Sequence, residues 1–136
     1  MTDQPKQVVE RAFEAFAAGD VETLRSVLAP DCVLHQCGFL NPVTGADAIL
    51  ELAGRSEGRL SDRTRRISAI VSEGDLVAIR STVTGKHTGP MFRNPTGRQL
   101  QFDVMMFVRL AGGKVAEIWN IQDTASILSQ LDAWPD

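Results

Sequence analysis

The chain is poor in the residues that hold metals and phosphates. It has two cysteines and two histidines in 136 residues, and nowhere do these fall with acidic residues at the spacing of a metal site. No metal is therefore expected. A glycine-rich phosphate loop is also absent, as is a serine or cysteine in a recognisable nucleophile elbow, which excludes a catalytic triad. No apolar run is long enough to span a bilayer, and Met1-Thr2-Asp3-Gln4-Pro5 lacks the basic-then-apolar pattern of a secretory signal. Cys32 and Cys37 are an odd number of residues apart in a strand-like run and should face opposite sides. A disulfide between them is not expected, and reduced cysteines fit a cytoplasmic protein. The net charge of -3 gives no general attraction to nucleic acid. The one basic cluster, Arg63, Arg65 and Arg66, is too short for a nucleic-acid surface and reads as a solvated strand end.

What is present suits one compact domain, 1–136, with a single core. Asp3 can cap a helix with Pro5 in its first turn, and Val8, Val9, Ala12, Phe13, Phe16 and Ala17 recur at helical spacing. Gly19 ends this helix and Asp20 caps a second, carrying Val21, Leu24, Val27 and Leu28 until Ala29-Pro30 stops it. A short strand over 32–37 and a loop follow, then a third helix capped by Thr44 and carrying Ile49, Leu50, Leu52 and Ala53. From about Thr64 the period changes to two. Ile67, Ala69 and Val71 share a face, Glu73-Gly74-Asp75 turns, and Val77, Ile79, Ser81, Val83, Gly85 and His87 line one side of the next strand. Strands over 99–111 and 114–122 are joined at Gly112-Gly113, and a short helix holds Ile127, Leu128 and Leu131. Helices first and strands after predict an α+β domain, with helices covering one face of a mostly antiparallel sheet.

The last hairpin concentrates the candidate chemistry. If Ala111 pairs with Lys114, Met106 opposes Trp119, Val104 opposes Ile121 and Phe102 opposes Asp123. One face then carries Phe102, Val104, Met106, Val108, Trp119 and Ile121, with Asp123 at its edge. A carboxyl beside apolar surface is harder to ionise, which suits proton transfer on a bound carbonyl compound. Asp123 also precedes Thr124-Ala125-Ser126-Ile127, where aspartate is a favoured helix cap. Both roles are compatible at a rim. His87, between Gly85 and Gly89, is either a site residue or a loop anchor, and His35 either enters the cavity or is a satisfied core histidine. Trp119 either stacks on a planar substrate or fills the core. Met105, Phe107 and Ile118 would leave the opposite face apolar, and an apolar second face must be covered. A homodimer through that face is expected.

Phe16-Ala17-Ala18-Gly19-Asp20, Leu28-Ala29-Pro30-Asp31 with His35, and Glu73 to Arg80 stand in a telling order. Thr84 to Gly89, Pro95 to Arg98, Gly113 to Trp119 with Asp123, and Leu128 to Leu131 continue it. Together these segments resemble the SnoaL-like polyketide cyclases of the nuclear-transport-factor-2-like superfamily, over nearly the whole chain. The resemblance implies a cone-shaped domain, its curved sheet wrapped around a hydrophobic pocket that the N-terminal helices cover. It implies an intramolecular aldol cyclase or related isomerase, acting without metal or organic cofactor on a hydrophobic, polyketide-like carbonyl substrate. Asp123 would be the proton-transfer residue, and Trp119, Met106, Val104, Phe102 and Phe16 would contact substrate. Met106 falls where the family often has histidine, so a helper role passes to His35 or His87, and no tyrosine is available to stabilise an enolate. The alternative is a small-molecule-binding or dimerising module of the same fold without catalysis. Neither nucleic acid nor membrane is an expected partner.

Overall fold

A computed structural model describes residues 4–135, without the side chains of Ser56 and Glu57. Helix α1 (Pro5–Ala18) carries its apolar stripe inward, with Val8 and Val9 buried, and ends at Gly19, whose φ of 68° suits glycine. The cap expected at Asp3 lies outside the described residues; Gln4 is the N-cap and shares a capping box with Gln7. Asp20 caps α2 (Val21–Val27) by accepting from the Thr23 N–H at 3.1 Å. Strand β1 (Leu28–His35) begins earlier than expected, and its ladder is irregular between Leu28 and Val33, around Pro30, which cannot donate to a ladder. The pair β2 (Val43–Thr44) joins the edge of β1, so Thr44 is a strand residue, and the Ile49 N–H bonds to Gly45 as α3 (Ala46–Glu57) starts.

Three long antiparallel strands follow: β3 (Leu60–Glu73), β4 (Leu76–His87) and β5 (Gln99–Ala111). Then come β6 (Lys114–Gln122) and α4 (Thr124–Gln130). The single sheet has the order β2-β1-β6-β5-β4-β3, antiparallel except where β1 runs parallel to β6. It is an α+β domain with helices on one side of an unclosed sheet, as the element order predicts. Helix α1 packs against β3 and β4, α3 against β1, and α4 against β5. Two apolar clusters result. One joins α1, α2 and α3 to the β1, β4, β5 and β6 faces around Val8, Val27, Val77 and Val115; the other gathers Leu60, Val83, Leu100 and Phe102 under Ile127 and Leu131.

The decisive local feature is in β6. Gly112 and Gly113 both have positive φ (59° and 78°), matching a tight hairpin turn, and Ala111 pairs with Lys114 as expected. Leu110 then pairs with Val115, but Arg109 pairs with Glu117. Ala116 is an extra residue, a β-bulge, and it inverts the faces of everything beyond it. Met106 therefore opposes Asn120 and Phe107 opposes Trp119. The inner face receives Ile118, Asn120 and Gln122; Trp119 and Ile121 turn outward. A second shift, between Ile67 and Ala69 in β3, likewise brings Ile70 inward and leaves Val71 66% exposed, so the face expected to join Ile67, Ala69 and Val71 is split.

Candidate functional site

The concave side of the sheet and the helices enclose a cavity of about 460 Å³. Its floor is Phe102, Val104, Met106 and Val108 from β5, with Ile118 from β6; Phe13 and Phe16 of α1 cover it, and α3 adds Ile49 and Leu50. Phe16, Phe102, Val104 and Met106 thus line the cavity together, as the pattern of β5 and the stripe of α1 predict. Trp119 does not join them. The bulge puts it on the outer face, stacked on His35 with ring centroids 5.2 Å apart and planes 8° from parallel.

His35 is on that outer face too. Its Nε2 lies 2.7 Å from a Glu117 carboxylate oxygen, and Arg109 donates to the other oxygen at 3.3 Å. The His35 hydrogen bond is the main reason the Glu117 carboxyl is held below its ordinary range, with Arg109 adding to it. His87 is fully buried at the end of β4 and anchors the loop that follows. Its Nδ1 accepts from the Thr96 N–H at 3.2 Å and lies 2.9 Å from the Thr96 hydroxyl, while its main chain bonds to Arg98 and Gly97. The neighbouring glycines serve close packing: a Cβ on Gly89 would sit 2.0 Å from the Gly58 carbonyl oxygen. Asp123 caps α4, accepting from the Ser126 N–H at 3.1 Å, and its side chain is exposed. The structure therefore does not bring Asp123, His35 and His87 to one place.

The polar groups that face the cavity are mostly amides and guanidiniums, with the Thr124 hydroxyl beside them. Among the described residues Arg59, Arg63, Arg65, Gln36, Asn120 and Gln122 line it, and no aspartate, glutamate or histidine does. The Asn120 amide is used internally: it donates to Gln36 at 2.8 Å and accepts from the Cys37 N–H at 3.1 Å, tying β6 to the end of β1. The Gln122 side chain has no hydrogen bond among the described residues and lines the cavity. Cys37 lines the wall, while the buried Cys32 thiol is pushed up to about 11, chiefly by burial.

The arginines overturn the reading of 63–66 as a solvated strand end. Arg66 is exposed, but Arg63 and Arg65 are half-buried and point at the helices. The Arg65 guanidinium carbon lies 5.4 and 5.5 Å from the Phe13 and Phe16 ring centroids, and that of Arg63 lies 5.3 Å from the Phe16 ring. Arg65 has no hydrogen bond or ion pair among the described residues, and its Nε is buried and unsatisfied. Burial, then the charge of Arg63, brings its pKa down to about 10. Removing such a charge from water costs several kcal/mol, against about 0.5–2 kcal/mol returned by a cation–π contact. The signal was in the sequence: Arg63 and Arg65 are in phase with Ile67, an inner-face residue.

A curved open sheet with helices over an apolar cavity defines the class, and solved structures described as NTF2-like from Burkholderia pseudomallei and Burkholderia thailandensis share it at TM-scores of 0.79 and 0.80. Within that class the chain belongs to the SnoaL-like polyketide cyclase family, whose sequence profile matches residues 6–131. IdmH of Streptomyces antibioticus, a candidate polyketide cyclase, is 32% identical, with 96% of this chain and 99% of IdmH covered and a TM-score of 0.86. AclR of Streptomyces galilaeus, a candidate hydroxylase, is 26% identical over 97% of this chain and 87% of its own, with a TM-score of 0.83. An LEH-like epoxide hydrolase of M. tuberculosis shares the fold at a TM-score of 0.74 and 22% identity, covering 93% of this chain and 88% of its own. No curated protein matches. Among the described residues no helix is long and apolar enough to cross a membrane, and no cluster of three or more His, Cys, Asp or Glu could hold a metal ion.

Proposed function

We propose that this chain is a cofactor-independent cyclase or isomerase acting on a hydrophobic carbonyl compound of polyketide type in the cytoplasm. The observation that carries this is the chemistry of the cavity: apolar walls with hydrogen-bond donors among its polar groups. The Gln122 amide can hold a carbonyl oxygen and favour the negative charge it gains on enolisation, at a place shielded from water. The apolar walls hold a flexible chain folded, and proximity alone accounts for a large part of the barrier in an intramolecular carbon–carbon bond formation.

In this reading Asp123 carries the proton from the rim, between the lining residues Gln122 and Thr124. It must then release the Ser126 N–H that it now caps. Asp123→Asn keeps a capping side chain and is expected to lower turnover of the true substrate at least about 100-fold, the scale of general acid–base catalysis, while ligand binding is retained. Full activity in this variant, assayed by product formation, removes the aspartate from the mechanism.

A second reading, a ligand-binding module without turnover, is favoured by the absence of Asp, Glu and His from the described cavity lining. A ligand recovered unchanged after prolonged incubation with the wild type would decide for it. In either reading we infer a homodimer through the outer sheet face. Val71, Met105, Phe107 and Ile121 are each more than half exposed there, an apolar surface that a second copy would cover. Sedimentation as a monomer at micromolar concentration would overturn the dimer.

A further inference from the structure

The unpaired charge in the cavity points to the kind of ligand it takes. Arg65 reaches in from β3 with its guanidinium over the rings of Phe13 and Phe16. Ring faces satisfy the flat sides of a guanidinium; its N–H edge still needs acceptors. Among the described residues none is supplied: Arg65 has no hydrogen bond, its Nε is buried without a partner, and the charged group that most affects it is a second cation, Arg63. Arg59 lines the same cavity. A half-buried cation beside another cation, with no carboxylate among the described lining residues, is costly unless something brings the negative charge.

We propose that Arg65 binds the carboxylate of an amphipathic organic acid whose apolar body fills the cavity. A planar carboxylate matches the planar fork of a guanidinium with two parallel hydrogen bonds. The assignment rests on the reading of the cavity as a ligand site, and it narrows the substrate to a free acid. A carrier-bound thioester is neutral at that carbon, so a reaction that releases the acid from its carrier would have to precede this protein.

Isothermal titration of the full chain at pH 7.5 with decanoate and with 1-decanol tests this, since the two share an apolar body and differ in charge. The wild type is expected to bind decanoate at least about tenfold more tightly than 1-decanol, the scale of a hydrogen bond to a charged group. Arg65→Met should remove that preference and leave 1-decanol affinity within about twofold, on the same scale. Equal binding of both probes to the wild type overturns the carboxylate site and leaves the cavity reading standing. Binding of neither overturns both. A preference that survives in Arg65→Met overturns the assignment to this residue. Should Arg65→Met lose the wild-type circular dichroism spectrum, Arg65→Lys keeps the charge without the fork and is expected to reduce the preference; an unchanged ratio there is equally fatal.

Discussion

The two faces of the sheet treat charge in opposite ways. On the outer face the charges are paired: Arg80 donates to Asp103 at 2.7 Å, Thr82 donates to the same carboxylate at 2.8 Å, and Glu117 takes hydrogen bonds from Arg109 and His35. The hydrogen bonds from Thr82, then Arg80, hold the Asp103 carboxyl below its usual range. On the inner face Arg65 has no such partner among the described residues. Apolar residues are divided differently too. The inner ones are sealed, as with Leu100 at 0% exposure, whereas Met105 and Phe107 of the same strand are 55% and 52% exposed. The outer face pairs its charges and leaves apolar side chains open, whereas the inner face sets an arginine against aromatic rings beside an apolar cavity.

The contrast breaks most sharply on β6. Ile118→Asp is expected to destabilise the protein by about 3 kcal/mol or more, because it places an unpaired charge on the inner face. Ile121→Asp, on the 67% exposed outer position, should stay within about 0.5 kcal/mol for a monomer. Urea unfolding of both variants checks the pair, and a reversed order would restore the regular ladder without the Ala116 bulge. Next in size is Leu100→Ala, a fully buried truncation expected to cost about 2–5 kcal/mol. Met105→Ala, five positions along on the opposite face, should be near neutral in the monomer and shift the dimer equilibrium instead; thermal melts at two protein concentrations separate these effects.

The smallest effect concerns the paired outer charges. Glu117 has a folded pKa below its ordinary 4.5, so its contribution is present above that value and is lost as pH falls through the lower folded one. Glu117→Gln should therefore narrow the gap between urea midpoints measured at pH 7 and near pH 3. An unchanged gap would mean that the His35–Glu117–Arg109 group does not couple to folding.

Much of the fold was legible from local chemistry. The stripe of α1, the aspartate cap of α2, the glycine turn before β6 and the two faces of β4 follow from spacing and turn preference, because each is settled within a few residues of chain. The candidate site was legible on β5 and α1, where Phe102, Val104, Met106 and Phe16 reach the cavity. It was not legible on β6. There Val115, Ala116, Ile118, Trp119 and Ile121 are apolar in both phases, and the more hydrophobic phase, Trp119 with Ile121, is the outer one. An outer face with its own apolar surface defeats the rule that hydrophobic means inside.

By itself, then, the sequence determined the elements, their order, and an α+β sheet with an apolar concave side, since periodicity and turn chemistry act over short distances. Only the tertiary structure decided which side chains share the cavity. A single extra residue at Ala116 inverts a strand, and where a ladder slips depends on the strand beside it. The same long-range packing turned Arg63 and Arg65 from a solvated strand end into cations against Phe13 and Phe16.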